Sequence, residues 1–163
     1  MLVFFCGKMG AGKSTRAAQI AAERNAVLIS EDDWLGSLFP GEIKNLKDYV
    51  NYAKRIKPIV KDIAQRILVS GGTVVLDFPA NTTGQREWLK SIYSEVGASH
   101  ELVYINEPDD VCLARIAQRR AENPERQRTD TKEMFYQVSK YFEEPSESCL
   151  LYTSDAADEH SWV

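Results

Sequence analysis

Few residues of this chain are of the types that build disulfide frameworks or metal clusters. The 163 residues include three cysteines and two histidines, and none stands at the spacing of a zinc site or of a paired set of disulfides. We therefore predict that Cys6, Cys112 and Cys149 are buried, reduced thiols. Neither histidine has companions that would indicate Ser-His-Asp chemistry.

Long apolar runs and an excess of positive charge are also missing. No run approaches the ~20 apolar residues that span a membrane. The opening run 2–5 lacks the basic leader and the small-residue cleavage site of a signal peptide. A net charge of −4 argues against general affinity for nucleic acid or anionic membranes. We expect a soluble, cytoplasmic protein that does not bind membranes.

The residues that are present alternate between short apolar runs and segments of helical periodicity. This alternation is typical of a parallel sheet covered by helices, so we predict an α/β fold. The composition, 44% hydrophobic and 27% charged, is that of one globular domain with one core. The predicted strands are Leu2–Cys6, Ala26–Ile29, Thr73–Leu76 and Glu101–Ile105.

Helix signals separate these strands. A capping box, Thr82 with Gln85, opens one helix, and Pro58 should kink or divide another. Asp130, with Glu133 three residues later, is expected to cap the last helix, after a polar loop at Asn123–Arg128. The predicted helices are Lys13–Arg24, Leu46–Val69, Thr82 to about Val96, Pro108 to about Glu122 and Asp130 to about Phe142.

The C-terminal segment differs from the rest of the chain. Residues 148–163 show no periodicity and resemble translated sequencing-adapter read-through. We interpret this segment as a non-native or disordered tail, the alternative being a genuine variable C-terminus. The domain then comprises residues 1–147, and a fifth strand would have been lost where the tail begins.

A phosphate-binding loop follows the first strand. Residues 7–14, GKMGAGKS, match G-x-x-x-x-G-K-[ST] and open a helix, the context that a P-loop requires. Its glycines let backbone N–H groups surround a phosphate, and the helix N-terminus adds positive charge. Lys13 should reach the β- and γ-phosphates, and the Ser14 hydroxyl should bind Mg²⁺. The predicted ATP-binding residues are Gly7, Lys8, Met9, Gly10, Ala11, Gly12, Lys13, Ser14 and Thr15. The alternative, a plain glycine turn, would not need the Lys-Ser pair.

Acidic residues follow two other strands. Asp77 ends the third strand and is the candidate second magnesium residue, usually through a water. Asp32 and Asp33 follow the second strand, at the sheet edge where ligands bind in this topology. One of these carboxylates could accept a proton from a substrate hydroxyl, and the alternative for both is a solvated helix cap. The guanine-reading lysine is missing from the segment NEPD at 106–109, so we predict adenine as the base.

Arginines concentrate after the fourth strand. Arg115 and Arg119 lie four residues apart on one helix face, and Arg120, Arg126 and Arg128 surround the polar loop. Such cations could close over a transferred phosphoryl group as a lid. The alternative is an ordinary solvated helix face.

Taken together, the P-loop, SEDD at 30–33, VVLDFPANTTGQR at 74–86 and LARIAQRR at 113–120 resemble one family. It is the P-loop kinase group of polynucleotide 5′-hydroxyl kinases, zeta toxins, antibiotic phosphotransferases and gluconate kinases. Over residues 1–147, the resemblance implies a three-layer α/β/α P-loop NTPase fold. It also implies a sheet of four or five strands and a short arginine-rich lid, as in nucleoside-monophosphate kinases. By the same resemblance Asp32 is the catalytic acid of the motif D-x-x-R, Asp33 and Arg86 face the substrate, and Arg115 and Arg119 are lid arginines.

One position departs from this family. The arginine of D-x-x-R, which contacts the acceptor phosphate in polynucleotide kinases, is Leu35 here. A leucine cannot hold a phosphate, so a nucleic-acid 5′ end is possible but not favoured as acceptor. Trp34 and Leu35 favour a less charged substrate.

These observations predict an ATP- and Mg²⁺-dependent phosphotransferase. It would move the γ-phosphoryl group onto a hydroxyl of a small molecule or a nucleic-acid 5′ end, with Lys13, Asp32, Arg115 and Arg119 as catalytic residues and Arg119 also contacting the nucleotide. The alternatives are an ATP-binding regulatory or toxin-like module and a plain ATPase. The sequence identifies neither the acceptor nor the oligomeric state.

Overall fold

The computed structural model describes residues 1–146 and the backbone of residues 152–155. Five parallel strands form one sheet in the order β2-β3-β1-β4-β5. The strands are β1 Leu2–Cys6, β2 Val27–Ser30, β3 Val74–Pro79, β4 His100–Ile105 and β5 Tyr152–Asp155. The helices are α1 Lys13–Glu23, α2 Glu31–Leu38, α3 Leu46–Val69, α4 Thr83–Ser94, α5 Asp109–Glu122 and α6 Lys132–Ser139, with a 3₁₀ turn at Pro124–Arg126.

The core lies on both faces of this sheet, because successive side chains of a strand point to opposite sides. Phe4 and the apolar faces of α2, α3 and α4 share one hydrophobic cluster. Phe5 and the apolar faces of α1, α5 and α6 share the other. The strand β1 is therefore buried on both faces, as its unbroken apolar run predicts. The three-layer α/β/α architecture expected from the sequence is confirmed.

The helix α3 runs through Pro58 without interruption, so the expected division of this helix is wrong. Pro58 removes one backbone hydrogen bond, but it is exposed, whereas Ile56 and Val60 on either side of it are buried in the core. The packing of this buried face against the core stabilises α3 by more than the missing hydrogen bond costs. At the start of α3, the Asn45 side chain accepts a hydrogen bond from the Asp48 N–H at 2.8 Å.

The helix α6 begins one residue later than predicted and is capped differently. Thr131, not Asp130, is its N-cap residue, and the Thr131 hydroxyl accepts a hydrogen bond from the Met134 N–H at 3.0 Å. The helix ends at Ser139 rather than near Phe142. The capping box of α4, Thr82 with Gln85, is present as predicted. The helix α2 was missed, because only its acidic start stood out in the sequence.

The fifth strand lies in the segment that the sequence pattern placed outside the fold. Tyr152–Asp155 pairs in parallel with β4, with residue 152 opposite Leu102 and residue 155 opposite Ile105. The four strands identified individually in the sequence are thus joined by a fifth, within the four or five that the resemblance implied. The interpretation of the remainder of 148–163 as a non-native tail stays a prediction, since those residues, Cys149 included, lie outside the described part. Cys6 and Cys112 are buried, free thiols. Within residues 1–146 and 152–155, none of the helices is both long and apolar enough to cross a bilayer.

Candidate active site

The loop between β1 and α1 is held open by backbone geometry. Gly10 and Gly12 have φ angles of 80° and 105°, values that only glycine adopts without cost. The first N–H of the loop, that of Gly7, donates to the Asn81 Oδ1 atom at 2.9 Å. The N–H of Ala11 donates to the Lys8 carbonyl at 3.0 Å. The loop is thus anchored to the segment after β3 while its centre faces the C-terminal edge of the sheet.

The Lys13 ammonium lies across this loop. Its Nζ atom donates to the carbonyl oxygens of Gly7 at 2.5 Å and Lys8 at 3.0 Å. Burial lowers the pKa of Lys13, and the nearby carboxylates of Asp77 and Asp32 oppose that shift. A desolvated ammonium surrounded by carbonyls is a site for a phosphate oxygen, because such an anion satisfies it better than neutral acceptors do.

Gly10 is expected to be the least replaceable loop residue. A Cβ atom there would meet the Cys112 carbonyl at 2.6 Å and the Ile116 Cγ1 atom at 2.9 Å. We expect Gly10→Ala to destabilise the fold by about 1–3 kcal/mol and to weaken ATP binding, measured by urea denaturation and by titration with ATP.

The matched control is Gly84→Ala. Gly84, in the first turn of α4, has open space around its Cβ position and no positive φ, so alanine should leave stability unchanged or raise it by up to about 1 kcal/mol. Equal unfolding midpoints for Gly10→Ala and Gly84→Ala would contradict this account of the loop.

Ser14 and Asp77 meet beside the loop. The Ser14 side chain is hydrogen-bonded to the Asp77 carboxylate. Burial raises the pKa of Asp77, and the charges of Asp32 and Asp33 raise it further, whereas Ser14 and Lys13 lower it. A hydroxyl and a carboxylate with surplus negative charge around them fit a hard divalent cation such as Mg²⁺. These two side chains are the residues that could hold it.

Asp32 and Asp33 lie in the first turn of α2, which Ser30 caps by accepting a hydrogen bond from the Asp33 N–H at 3.3 Å. Both side chains are exposed. The charge of Asp32 acts on Lys13 and Asp77, and one of its oxygens lies 3.7 Å from Nη2 of Arg126. The structure therefore brings Asp32 to the same edge of the sheet as the loop, Lys13 and Asp77.

The arginines after β4 take different positions. Both Arg119 and Arg126 bind the Asp130 carboxylate through two nitrogens each, at 2.7 and 2.9 Å for Arg119 and 2.6 and 3.3 Å for Arg126. Asp130 is 1% exposed. Burial by itself would raise the pKa of Asp130, but the two arginines outweigh it and the pKa is lowered. We call these three residues the lid triad. Arg126 joins it to Asp32.

Arg115 contacts the phosphate loop itself. Its Nη1 atom donates to the Ala11 carbonyl at 2.8 Å, and Nη2 lies 3.7 Å from a Glu107 oxygen. Nη1 is also the atom that a Cβ at Gly12 would approach, at 3.3 Å. Arg115 therefore supports the loop from the side of α5.

Arg86 and Leu35 lie inside the protein. Arg86 is 3% exposed, and its guanidinium donates to the carbonyls of Ala80 at 2.8 Å, Glu143 at 3.0 Å and Glu144 at 3.4 Å. These contacts tie the chain after α6 to the start of α4, and the assignment of Arg86 to the substrate stays a prediction. Leu35 is 3% exposed and packs in the core. The side chain at this position is therefore part of the core.

Sequence reasoning missed three residues near this site. Asn81 anchors the loop through Gly7, Asp130 holds the lid arginines, and Glu31 carries a buried carboxyl next to Asp32. The sequence could have predicted the ion pair of Asp130 with Arg126, because an acid and an arginine four residues apart are at the spacing of such pairs. No signal in the sequence marks Glu31 as buried, since it stands first in an acidic triplet.

The fold and this loop define a P-loop nucleotide-binding protein of the kinase group. The chain belongs to the AAA domain family, whose model matches residues 2–145. It is 29% identical over 151 residues to an adenylate kinase of Trichodesmium erythraeum (strain IMS101), covering 83% of this chain and 78% of that protein.

Solved structures share the fold. Kti12 of Chaetomium thermophilum, in complex with ADP-AlF3, has a TM-score of 0.68 at 19% identity, covering 99% of this chain and 93% of that one. A gluconokinase of Sinorhizobium meliloti 1021 has a TM-score of 0.61 at 17% identity, covering 95% and 82%. The resemblance to P-loop kinases inferred from the sequence motifs is thereby confirmed at the level of family and fold.

Proposed function

We propose that this protein is an ATP-dependent phosphotransferase that moves the γ-phosphoryl group of Mg-ATP onto a hydroxyl acceptor. The observation that carries the proposal is the position of Asp32, with Arg126 of the lid triad 3.7 Å away and with Lys13 and Asp77 within its electrostatic reach. Phosphoryl transfer needs these parts together, because its catalysis is mostly positioning and stabilisation of charge. A loop that only bound nucleotide would not require an acid between lid and loop.

Each residue then has a task in the reaction. The oxygen of the acceptor hydroxyl attacks the γ-phosphorus, the bond to the β–γ bridging oxygen breaks, and ADP leaves with the electron pair. Asp32 accepts the hydroxyl proton. Lys13 and the loop N–H groups hold the β- and γ-phosphates, and Arg126 or Arg119 neutralises charge on the transferred group. Mg²⁺, held through Ser14 and Asp77, would screen the phosphate charges.

The relatives support the reaction class and leave the acceptor open. Proteins similar to this chain are an adenylate kinase and a gluconokinase, and the Kti12 structure contains ADP-AlF3. We favour a small molecule over a nucleic-acid 5′ end, because the core position of Leu35 leaves α2 without the phosphate-binding arginine of polynucleotide kinases.

The test is phosphorus NMR of the full chain with Mg-ATP and a pool of acceptors. The pool contains sugars, aminoglycosides, nucleosides and a 5′-hydroxyl oligonucleotide, and Lys13→Ala is the negative control. A new phosphoester resonance that is lost in Lys13→Ala would establish a kinase and identify the acceptor class. Release of ADP and inorganic phosphate without a phosphoester would indicate an ATPase. Bound but intact ATP would indicate a binding module.

A further inference from the structure

Glu31 is a buried carboxyl beside Asp32 of the candidate active site. It is the first residue of α2 and 3% exposed. One of its oxygens, Oε1, is hydrogen-bonded by the Tyr49 hydroxyl of α3, whereas Oε2 has no hydrogen-bond partner among the described residues. A buried carboxyl with an unpartnered oxygen costs stability. An apolar side chain would fill this place without that cost, so a role in the site accounts for Glu31 better than stability does.

The neighbour of Glu31 in the chain is the candidate base. Successive residues of a helix point about 100° apart. The Tyr49 hydrogen bond that holds Glu31 against α3 therefore also sets the direction of Asp32. Leu35 packs α2 into the core, but the polar contacts of the first turn itself are weak. Its Ser30 cap is a 3.3 Å hydrogen bond, and Asp32 itself is exposed, with a single ion-pair contact at 3.7 Å.

We propose that Glu31 and Tyr49 form a positioning pair, which holds the first turn of α2 on α3 and thereby aims the Asp32 carboxylate at the phosphate loop. This inference rests on the proposed function. Asp32 is the residue that acts on the substrate, and the pair acts through it. The hydrogen bond joins the first turn of α2 to the 24-residue helix α3, the longest element of the described chain. Because α3 is packed in the core, this bond restricts the motion of the turn that carries Asp32.

Charges from three elements surround Glu31. The groups that face it are Tyr49 and Lys57 of α3, Asp32 of α2 and Asp77 of β3. The pKa of Glu31 is raised to about 7, chiefly by burial; the charges of Asp32 and Asp77 add to this rise, and Tyr49 and Lys57 oppose it. We therefore expect Glu31 to ionise near neutral pH, which would change the charge beside Asp32.

The first experiment compares Tyr49→Phe with Tyr52→Phe in the full chain. Tyr52 lies on the same helix, packs on Phe39 with ring centroids 4.5 Å apart, and bonds Glu42 instead. We expect Tyr49→Phe to lower the kcat of transfer about 10-fold, because small misplacements of a catalytic group are costly. The KM for ATP should change less than two-fold, because the substitution leaves the phosphate loop intact. Tyr52→Phe should leave both constants unchanged. Equal kcat values for the two variants would overturn the proposal.

A second experiment does not depend on transfer activity. Carbon-13 NMR of the side-chain carboxyls should show the Asp32 resonance of the wild type moving near pH 7, as Glu31 loses its proton. That movement should disappear in Glu31→Gln, which keeps an acceptor for Tyr49 but cannot ionise. An Asp32 resonance that behaves the same near pH 7 in wild type and Glu31→Gln refutes the pair. Absence of phosphoester product in the wild type, with the coupled titration present, refutes the proposed function alone.

Stability gives the same pair a third readout. Because the folded pKa of Glu31 lies above its ordinary 4.5, its contribution to stability is present at low pH and is lost as the pH rises to about 7. The melting temperature of the wild type should therefore fall relative to Glu31→Gln across that window. A constant difference between the two proteins would contradict the burial of an ionisable group here.

Discussion

Asp32→Asn should abolish most phosphoryl transfer while leaving ATP bound. General-base catalysis is worth about 10²–10⁴ in rate, and an amide cannot accept the hydroxyl proton. The ATP affinity should stay close to that of the wild type, because Asp32 is not part of the loop and contacts Lys13 only through its charge. Initial rates of phosphoester formation and equilibrium titration with ATP measure the two quantities separately.

Two other aspartates serve as references for this variant. Asp62→Asn makes the same chemical change on the exposed side of α3, where Asp62 pairs with Arg66 at 3.0 Å, and it should leave both rate and affinity unchanged. Asp33→Asn changes the adjacent acid, which we assign to substrate contact, so it should raise the KM for the acceptor more than it lowers kcat. Wild-type transfer by Asp32→Asn would remove Asp32 as the base and favour a binding module.

Asp130→Asn should cost about 3 kcal/mol of stability. Breaking a buried ion pair by removing one partner typically costs about 3–5 kcal/mol, because the remaining charge is left buried. The lower figure applies here, since the side chains of Arg119 and Arg126 are 34% and 29% exposed and can turn toward water. The expected result is a lower urea midpoint with an unchanged slope.

The control for this prediction is again on α3. The pair Asp62–Arg66 is also an aspartate and an arginine four residues apart, but both side chains are exposed, so Asp62→Asn should cost less than about 0.5 kcal/mol. The pH dependence adds a check. Because the pKa of Asp130 is lowered from 3.8, its contribution is present above that pH and is lost as the pH falls below it. Equal urea midpoints for the two variants would mean that the lid triad does not hold the fold together.

The sequence predicted the sheet and the loop well, because both depend on local patterns. A strand buried on both faces reads as an apolar run, which located β1 to the residue, and the P-loop is defined by residue types at fixed spacing. The capping box of α4 is likewise local, since Thr82 and Gln85 bond each other's backbone groups.

What the sequence could not predict depends on contacts between distant segments. Asp130 was interpreted as a helix cap, a local role that suits an aspartate before a helix, whereas the structure binds it to an arginine eleven positions earlier. The motif around Arg86 predicts a contact with substrate, but the Arg86 guanidinium donates a hydrogen bond to the Glu143 carbonyl. The segment of β5 has no periodicity that would predict a strand. Its place in the sheet is evident only from its pairing with β4.

The strand order also determines when this protein can fold. The central strand β1 precedes both of its partners in the chain, and these begin at Val74 and His100, which pair with Leu2 on either side. During synthesis the run LVFFC therefore has no hydrogen-bonding neighbour until β3 has also been made. Pairing over such distances is slow, and an uncovered apolar β-forming segment associates readily with other chains. We therefore expect the yield of folded protein in the cell to depend on how well β1 is shielded until its partner strands have been made.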